Sequence, residues 1–184
     1  MANNCWNYAV LSGDKAALDE IQERFSKYDD TNYFTEFGDI VLKKEMKEDY
    51  SSLSFDEYYQ YGTKWWDFNI DERTDNTLII SGDSAWSPPL ELLRQISEVY
   101  NVTIEGEYNE CGMGFGGFFV CEDGILSDNE MTYFEYQLES DREWAIDEVI
   151  NNLQDWDEEF DEDAYPQLTQ QEKEYIKEQL KKEV

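Results

Sequence analysis

The sequence of 184 residues contains no histidine, and this absence removes several classes of site at once. Serine or cysteine nucleophiles that an imidazole activates are excluded, as are metal sites built on imidazole ligands. The side chain that most often serves as an acid or base near neutral pH is also missing. We therefore predict a protein that is not an enzyme and that holds no metal ion or other cofactor.

Basic residues are scarce: 14 Lys and Arg stand against 44 Asp and Glu, which gives a formal net charge of −30. Contacts with DNA, RNA and anionic lipid depend on Lys and Arg. Direct binding to nucleic acid or to a membrane surface is therefore excluded. Such acidity favours a basic protein partner, or it serves only solubility.

Long apolar runs are absent too. None approaches the roughly 20 residues that span a bilayer, and the N-terminus lacks the basic and apolar regions of a signal peptide. The three cysteines, Cys5, Cys111 and Cys121, are an odd number without metal-ligand spacing. A reduced, cytoplasmic location is the simplest interpretation. Aromatic residues make up 16% of the sequence. The chain therefore has enough apolar surface to form a buried core, and disorder of the whole chain is excluded.

Hydrophobic periodicity predicts an α+β fold. The predicted order is a strand, a helix, an irregular insert at residues 28–60, two strands, a helix, three strands and two helices. Such an order favours a mostly antiparallel sheet with helices on one face, close to the β-α-β-β-α-β plan. We predict one domain over residues 1–153, followed by an acidic linker and a C-terminal helix over residues 154–184.

Some local signals are specific enough to test. Ser87, before two prolines, is predicted to cap the helix that follows. The alternation over Thr132–Leu138 predicts a strand. The patterns Ser140-x-x-Glu143 and Thr169-x-x-Glu172 each have the form of a capping box and predict helix starts.

The acidic charge is concentrated between residues 121 and 163, where 17 acids accompany one base and the net charge is −16. Trp156 and Phe160 lie four residues apart in the densest stretch and would share one face of a helix. Two interpretations stay open: the packed end of an amphipathic helix, or a docking element with Trp156 as its apolar anchor. The acids of that element would be Asp155, Asp157, Glu158, Glu159, Asp161, Glu162 and Asp163.

A second candidate site is a cleft near four residues that could bind a small molecule or carry out catalysis. Trp and Tyr are common both as interface anchors and as core residues, and an acid lies beside them in the sequence. The four residues are Trp66, Trp86, Tyr108 and Glu110. The neighbouring glycine run at residues 112–117 precedes a strand and no lysine follows it, so we expect structural glycines rather than a phosphate loop.

Four short blocks of this sequence lie within residues 4–124. They are Asn4-Cys5-Trp6-Asn7 with Ser12-Gly13-Asp14, Gly62-Thr63-Lys64-Trp65, Ser84-Ala85-Trp86-Ser87-Pro88-Pro89, and the segment from Tyr108 to Gly117. In type and in order, these blocks resemble the Api92-like (YubB-like) family of phages and conjugative plasmids. The resemblance implies a ferredoxin-like α+β domain, a mobile-element origin and no particular activity.

Together these features predict a non-enzymatic interaction protein of phage or mobile-element type. Carboxylates spread over a folded surface can imitate duplex phosphates, which carry about one negative charge per 1.7 Å of helix axis. The hypothesis is therefore an acidic, DNA-mimic-like inhibitor or decoy of a basic, nucleic-acid-binding host protein. The alternatives are the small-molecule or catalytic cleft, and acidity that serves only solubility. The sequence leaves the oligomeric state open.

Overall fold

The computed structural model describes residues 3–27, 33–156 and 159–181. Its strands form one six-stranded sheet in the spatial order β2-β3-β1-β4-β5-β6. The pairs β1–β3, β1–β4, β2–β3 and β4–β5 are antiparallel. The predicted α+β fold with an antiparallel sheet is thus confirmed. The strands are β1 (Asn4–Ser12), β2 (Trp66–Arg73), β3 (Thr77–Ala85), β4 (Thr103–Glu110), β5 (Phe115–Glu122) and β6 (Ile125–Thr132).

The helices lie before, between and after the strands. None of the described helices is long and apolar enough to cross a membrane. A single 3₁₀ turn, Glu162–Ala164, precedes the last of them. The α-helices are α1 (Lys15–Phe25), α2 (Phe34–Val41), α3 (Phe55–Tyr58), α4 (Leu90–Tyr100), α5 (Tyr133–Ser140), α6 (Arg142–Asp155) and α7 (Gln170–Leu180).

One face of the sheet carries the main core. Along β1 the side chains of Cys5, Ala9 and Leu11 are buried, whereas Trp6 between them is exposed. The buried set packs with residues of α1, α2 and α4 in one cluster. Alternate side chains of a strand point to opposite faces, so the predicted layer of helices on one face is confirmed.

The chain divides into two compact units, Met1–Glu130 and Met131–Val184. The second unit has its own cluster of buried residues, which includes Ala145, Leu168 and Ile176. Helices α5 and α6 therefore group with the C-terminal helix in the structure, whereas the sequence-based boundary lay at residue 153.

The irregular insert contains two short helices, α2 and α3, and its end is held by a buried carboxylate. Asp39 of α2 accepts hydrogen bonds from the hydroxyls of Tyr61, at 2.5 Å, and Tyr50, at 2.9 Å. Asp39 is 3% exposed, so these bonds supply the partners that a buried charge requires.

The predicted strand over Thr132–Leu138 is wrong, because this segment begins α5. Thr132 accepts a hydrogen bond from the amide of Glu135, and the Glu135 carboxylate accepts one from the amide of Thr132. This capping box satisfies helix amides that a strand would leave to a neighbour. The last of the three strands predicted before the final helices is β6, which comes earlier in the chain and ends at Thr132, where α5 begins.

The cap predictions have mixed outcomes. Thr169 forms the predicted capping box with Glu172 at the start of α7. Ser140 does not cap α6, because Asp141 accepts the hydrogen bond from the amide of Trp144 at 3.0 Å. Ser87 does not cap α4 either, since its hydroxyl donates to the carbonyl of Gly62 at 2.6 Å.

Candidate functional site

The acidic segment (residues 155–163) follows α6 in the second unit, and Asp157 and Glu158 lie outside the described residues. Asp155 is the last residue of α6, and Trp156 is its C-cap. The indole of Trp156 is 76% exposed. An indole this exposed buries little apolar area in the chain itself and is free to bury it against a partner.

Trp156 and Phe160 do not share a helix face, because α6 ends at Asp155, before both of them. Phe160 is half-buried against the core of the second unit and stacks on Tyr165, with 5.6 Å between ring centroids. One aromatic residue of the predicted pair thus packs inward, and the other is left at the surface.

Two acids of this segment have structural partners. Glu162 pairs with Lys177 of α7, and its carbonyl accepts a hydrogen bond from Lys173 at 2.8 Å. Asp161 accepts a hydrogen bond from the amide of Asp163 and so caps the 3₁₀ turn. These contacts hold the end of the segment against α7 and offset part of its charge.

The other described carboxylates of the segment face solvent. Asp155, Glu159 and Asp163 are all exposed, and within the described residues their side chains form no hydrogen bond and no ion pair. The structure therefore combines three carboxylates free for an external cation with one exposed indole.

The four residues of the predicted cleft are mostly internal. Trp66 is fully buried and packs on Phe68 at 4.9 Å between centroids. Tyr108 is buried and donates a hydrogen bond to Asp128 at 2.8 Å. Such side chains offer a ligand almost no surface, so the geometry does not favour a cleft built from them.

Glu110 and Trp86, the other two, have different surroundings. Glu110 is buried and accepts hydrogen bonds from the amides of Gly112 and Met113, so it closes the loop between β4 and β5. Trp86 is half-exposed, and its φ of 70° places it in the left-handed region. Among the described residues, no group of three or more Cys, Asp or Glu side chains is arranged to hold a metal ion.

Two titratable groups of this region, Tyr108 and Cys5, are poorly suited to proton transfer near neutral pH. Burial, with help from the bond to Asp128, raises the pKa of Tyr108 far above its usual value. Burial also raises the pKa of the Cys5 thiol to about 12. Both groups therefore stay protonated at pH 7.

The glycine run has the structural role that we predicted. A Cβ on Gly117 would lie 2.6 Å from the hydroxyl oxygen of Tyr108, which is far inside van der Waals contact. Gly116 and Gly117 belong to β5. The run thus lets the Tyr108 ring pass close to the neighbouring strand, and it holds no phosphate loop.

Three of the four blocks that resemble a family, those that contain Asn7, Gly62 and Ser84, meet in one hydrogen-bonded network of the first unit. Asn7 donates to Ser84 at 2.8 Å, and Ser84 donates to the carbonyl of Ser87 at 2.8 Å. Ser87 in turn donates to the carbonyl of Gly62 at 2.6 Å. These polar residues satisfy one another, so they hold the fold together rather than await a ligand.

The outer face of the sheet, opposite α1, α2 and α4, is a surface that we did not predict from the sequence. Trp6, Tyr8 and Val10 of β1 point to this face, between the buried residues of the same strand. The signal was present in the sequence, because β1 is apolar at successive positions and not only at alternate ones.

Comparison with protein families identifies the fold. A family model described as a ferredoxin-like domain in Api92-like protein matches residues 64–174, which is more than half of the chain. The match runs from the start of the β2 region through the acidic segment into α7, further than the four blocks reach. Comparison with curated proteins found no match.

A crystal structure of the protein Api92 from Yersinia pseudotuberculosis is similar to this chain. The two are 12% identical, and the alignment has a TM-score of 0.45. It covers 72% of this chain and 98% of that chain.

Proposed function

The chain belongs to the Api92-like family and has that family's ferredoxin-like domain, and we propose that it is a non-enzymatic interaction protein. It acts as an acidic inhibitor or decoy that occupies the basic surface of a nucleic-acid-binding host protein. The observation that carries this proposal is that the acidic segment holds both an exposed Trp156 and the solvent-facing carboxylates of Asp155, Glu159 and Asp163.

The chemistry of that surface suits a basic partner. Solvent-facing carboxylates attract Lys and Arg over several ångströms and raise the rate of association, an effect that salt weakens. Affinity needs an apolar contact as well, and a tryptophan that becomes fully desolvated is a frequent anchor. The net charge of −30 repels nucleic acid itself, so the protein competes with nucleic acid instead of binding it.

A cytoplasmic location is part of the proposal. All three cysteines are free, and Cys5 and Cys121 are buried in the first unit. Nucleic-acid-binding host proteins are found in that compartment, where thiols stay reduced.

The test is capture of host proteins from a nuclease-treated bacterial lysate. The informative variant is Asp155→Asn/Glu159→Gln/Asp163→Asn. Its matched control is Glu45→Gln/Glu48→Gln/Asp75→Asn, which removes the same charge from exposed acids of the first unit. We expect the wild type and the control to capture the same basic protein at low salt, and the informative variant to lose it.

The captured protein is then mixed with duplex DNA and increasing amounts of this chain. Displacement of the DNA supports the decoy, and a stable ternary complex contradicts it. Equal capture by both triple variants shows that the acids of the segment do not form the site, and equal loss in both shows that only total charge matters. The latter result would favour the alternative in which acidity serves solubility.

A separate test of Trp156 has its control at the opposite end of α6. Trp156→Ala removes the exposed indole, and Trp144→Ala removes another exposed indole, at the start of α6. We expect a loss of roughly 2 kcal/mol in binding for Trp156→Ala and little change for Trp144→Ala. Equal effects of the two substitutions would remove Trp156 from the proposed site.

A further inference from the structure

We infer that the outer face of the sheet in the first unit is a second docking surface. Its occupant is a segment of another protein that carries Lys or Arg side chains beside apolar ones. This surface is made by other residues than the acidic segment, and either proposal can fail without the other.

The centre of the outer face is apolar. Trp6, Tyr8 and Val10 occupy its middle strand, β1. The rings of Trp6 and Tyr8 stack with 6.3 Å between centroids and 15° between planes, and Trp6 is 37% exposed. Exposed aromatic residues on the central strand of a sheet form an apolar patch of the kind that marks interaction sites.

Carboxylates stand beside this apolar ridge at defined register positions. On β4, Glu107 is opposite Tyr8 and Glu105 is opposite Val10. On β5, Phe118 is opposite Glu107 and Val120 is opposite Glu105. The two glutamates therefore stand between apolar residues on both sides, within reach of any cation that lies on the aromatic rings.

A pair of like charges lies at the other side of the ridge. Asp83 of β3 is opposite Trp6, and Asp67 of β2 is opposite Asp83. Like charges directly opposite each other destabilise a sheet. A cationic side chain placed over this pair would relieve the repulsion, which adds to the affinity for a basic segment.

The described strands β1 to β5 supply no cation to this face. At the outward positions of β1 to β5, all of which are described, each charged side chain is acidic. Arg73 of β2 pairs with Asp19 of α1 on the helical side. Elsewhere in the described chain, lysines do stand over aromatic rings, as Lys43 does over Tyr100 at 4.4 Å. The rings of Trp6 and Tyr8 are therefore open to a cation from a partner.

The same face holds a shallow depression of about 350 Å³. Tyr8, Phe118 and Val120 contribute apolar walls, and Glu105 and Glu107 contribute carboxylates. An apolar side chain of the partner fits the walls while a neighbouring Lys or Arg reaches the carboxylates. Phosphate groups of nucleic acids or lipids are repelled, so the charge complementarity selects a basic polypeptide.

The test measures, by calorimetry, the binding of a synthetic peptide to the full chain. The peptide has about 14 residues of alternating leucine and lysine. The informative variant is Glu105→Gln/Glu107→Gln, and the matched control is Glu45→Gln/Glu48→Gln, which removes the same charge elsewhere in the first unit. We expect the control to bind like the wild type and the informative variant to bind about tenfold more weakly. Peptides with serine for leucine, or glutamate for lysine, should bind weakly or not at all.

Amide chemical-shift mapping locates the peptide directly. Shifts in β1, β4 and β5 support the inference, whereas shifts confined to the acidic segment overturn it. The triple variant Asp155→Asn/Glu159→Gln/Asp163→Asn keeps this binding if the inference is right, even when it abolishes the decoy activity. Equal weakening by the two double variants shows that only net charge attracts the peptide and also overturns the inference. Val120→Ser, at an exposed position of β5, repeats the test without a change of charge.

Discussion

The hydroxyl of Tyr61 donates a 2.5 Å hydrogen bond to the buried carboxylate of Asp39. Tyr50 donates a second bond to the other oxygen of the same carboxylate, at 2.9 Å. Lys44 stands outside, with its Nζ atom 3.1 Å from the Tyr61 hydroxyl and over the same ring. This small network fastens the insert between β1 and β2 to the main core.

Replacement of Asp39 should lower the stability of the first unit. Asp39→Ala removes the carboxylate that accepts from two buried hydroxyls, and a hydrogen bond to a charged group contributes about 1.5–3 kcal/mol. We expect a loss of this size or somewhat more in the free energy of unfolding, measured by urea denaturation. Tyr50→Phe/Tyr61→Phe is the companion variant. If Asp39→Ala costs as much in that background as in the wild type, the network is not the source of the loss.

Alkaline pH should destabilise the fold. Burial raises the pKa of Tyr108 and Tyr61 well above their usual value, and it raises the pKa of Tyr100, Cys5 and Cys121 to about 12. The unfolded chain releases these protons from about pH 9 to 10. Stability is therefore full below that pH and falls as the pH rises towards 12. Urea midpoints measured across this window should fall, and Tyr108→Phe should make the fall less steep. A slope that Tyr108→Phe leaves unchanged would contradict this assignment.

The start of α5 should depend on its cap. Thr132→Ala removes the hydroxyl that accepts from the amide of Glu135, and loss of such a cap costs about 1 kcal/mol. Thermal unfolding followed by circular dichroism measures the effect on the second unit. Thr132→Ser keeps a capping hydroxyl and should stay close to the wild type, and a similar loss in both variants would speak against the cap.

Salt should stabilise this protein. A net charge of −30 makes the compact state repel itself, and about 0.5 M sodium chloride shortens the range of that repulsion to a few ångströms. The described ion pairs, such as Lys15–Asp19 and Lys27–Glu23, are mostly exposed and are worth little when isolated. We expect Tm to rise with sodium chloride concentration. A fall in Tm would show that ion pairs outweigh the repulsion.

Several elements could be predicted because their signals are local. The apolar strand pattern of β1 and the helical spacing of α1 need no knowledge of distant residues, and the Thr169 capping box depends on a residue three positions away. The prediction for residues 132–138 was wrong because the alternation of this segment favoured a strand while its cap favoured a helix. The cap decided the outcome, since it satisfies the first amides of α5 locally.

The candidate sites were harder to predict than the fold. The acidic segment was visible as a run of charge, but the division between the packed Phe160 and the exposed Trp156 depends on where α6 ends. Tyr108 and Trp66 looked like surface candidates, and the structure buries both. The burial of each side chain depends on which strands and helices pack against its own strand. A single sequence does not specify those neighbours.

The sequence by itself determined the excess of negative charge, the absence of imidazole chemistry, the α+β class and the order of most elements. These follow from composition and from short-range patterns. Only the tertiary structure decided that Trp6 and Tyr8 meet Glu107 and Asp83 on one open face, and that Asp39 meets Tyr61. These contacts join residues that are far apart in the chain. The packing of strands and helices around the main core determines which of them become neighbours.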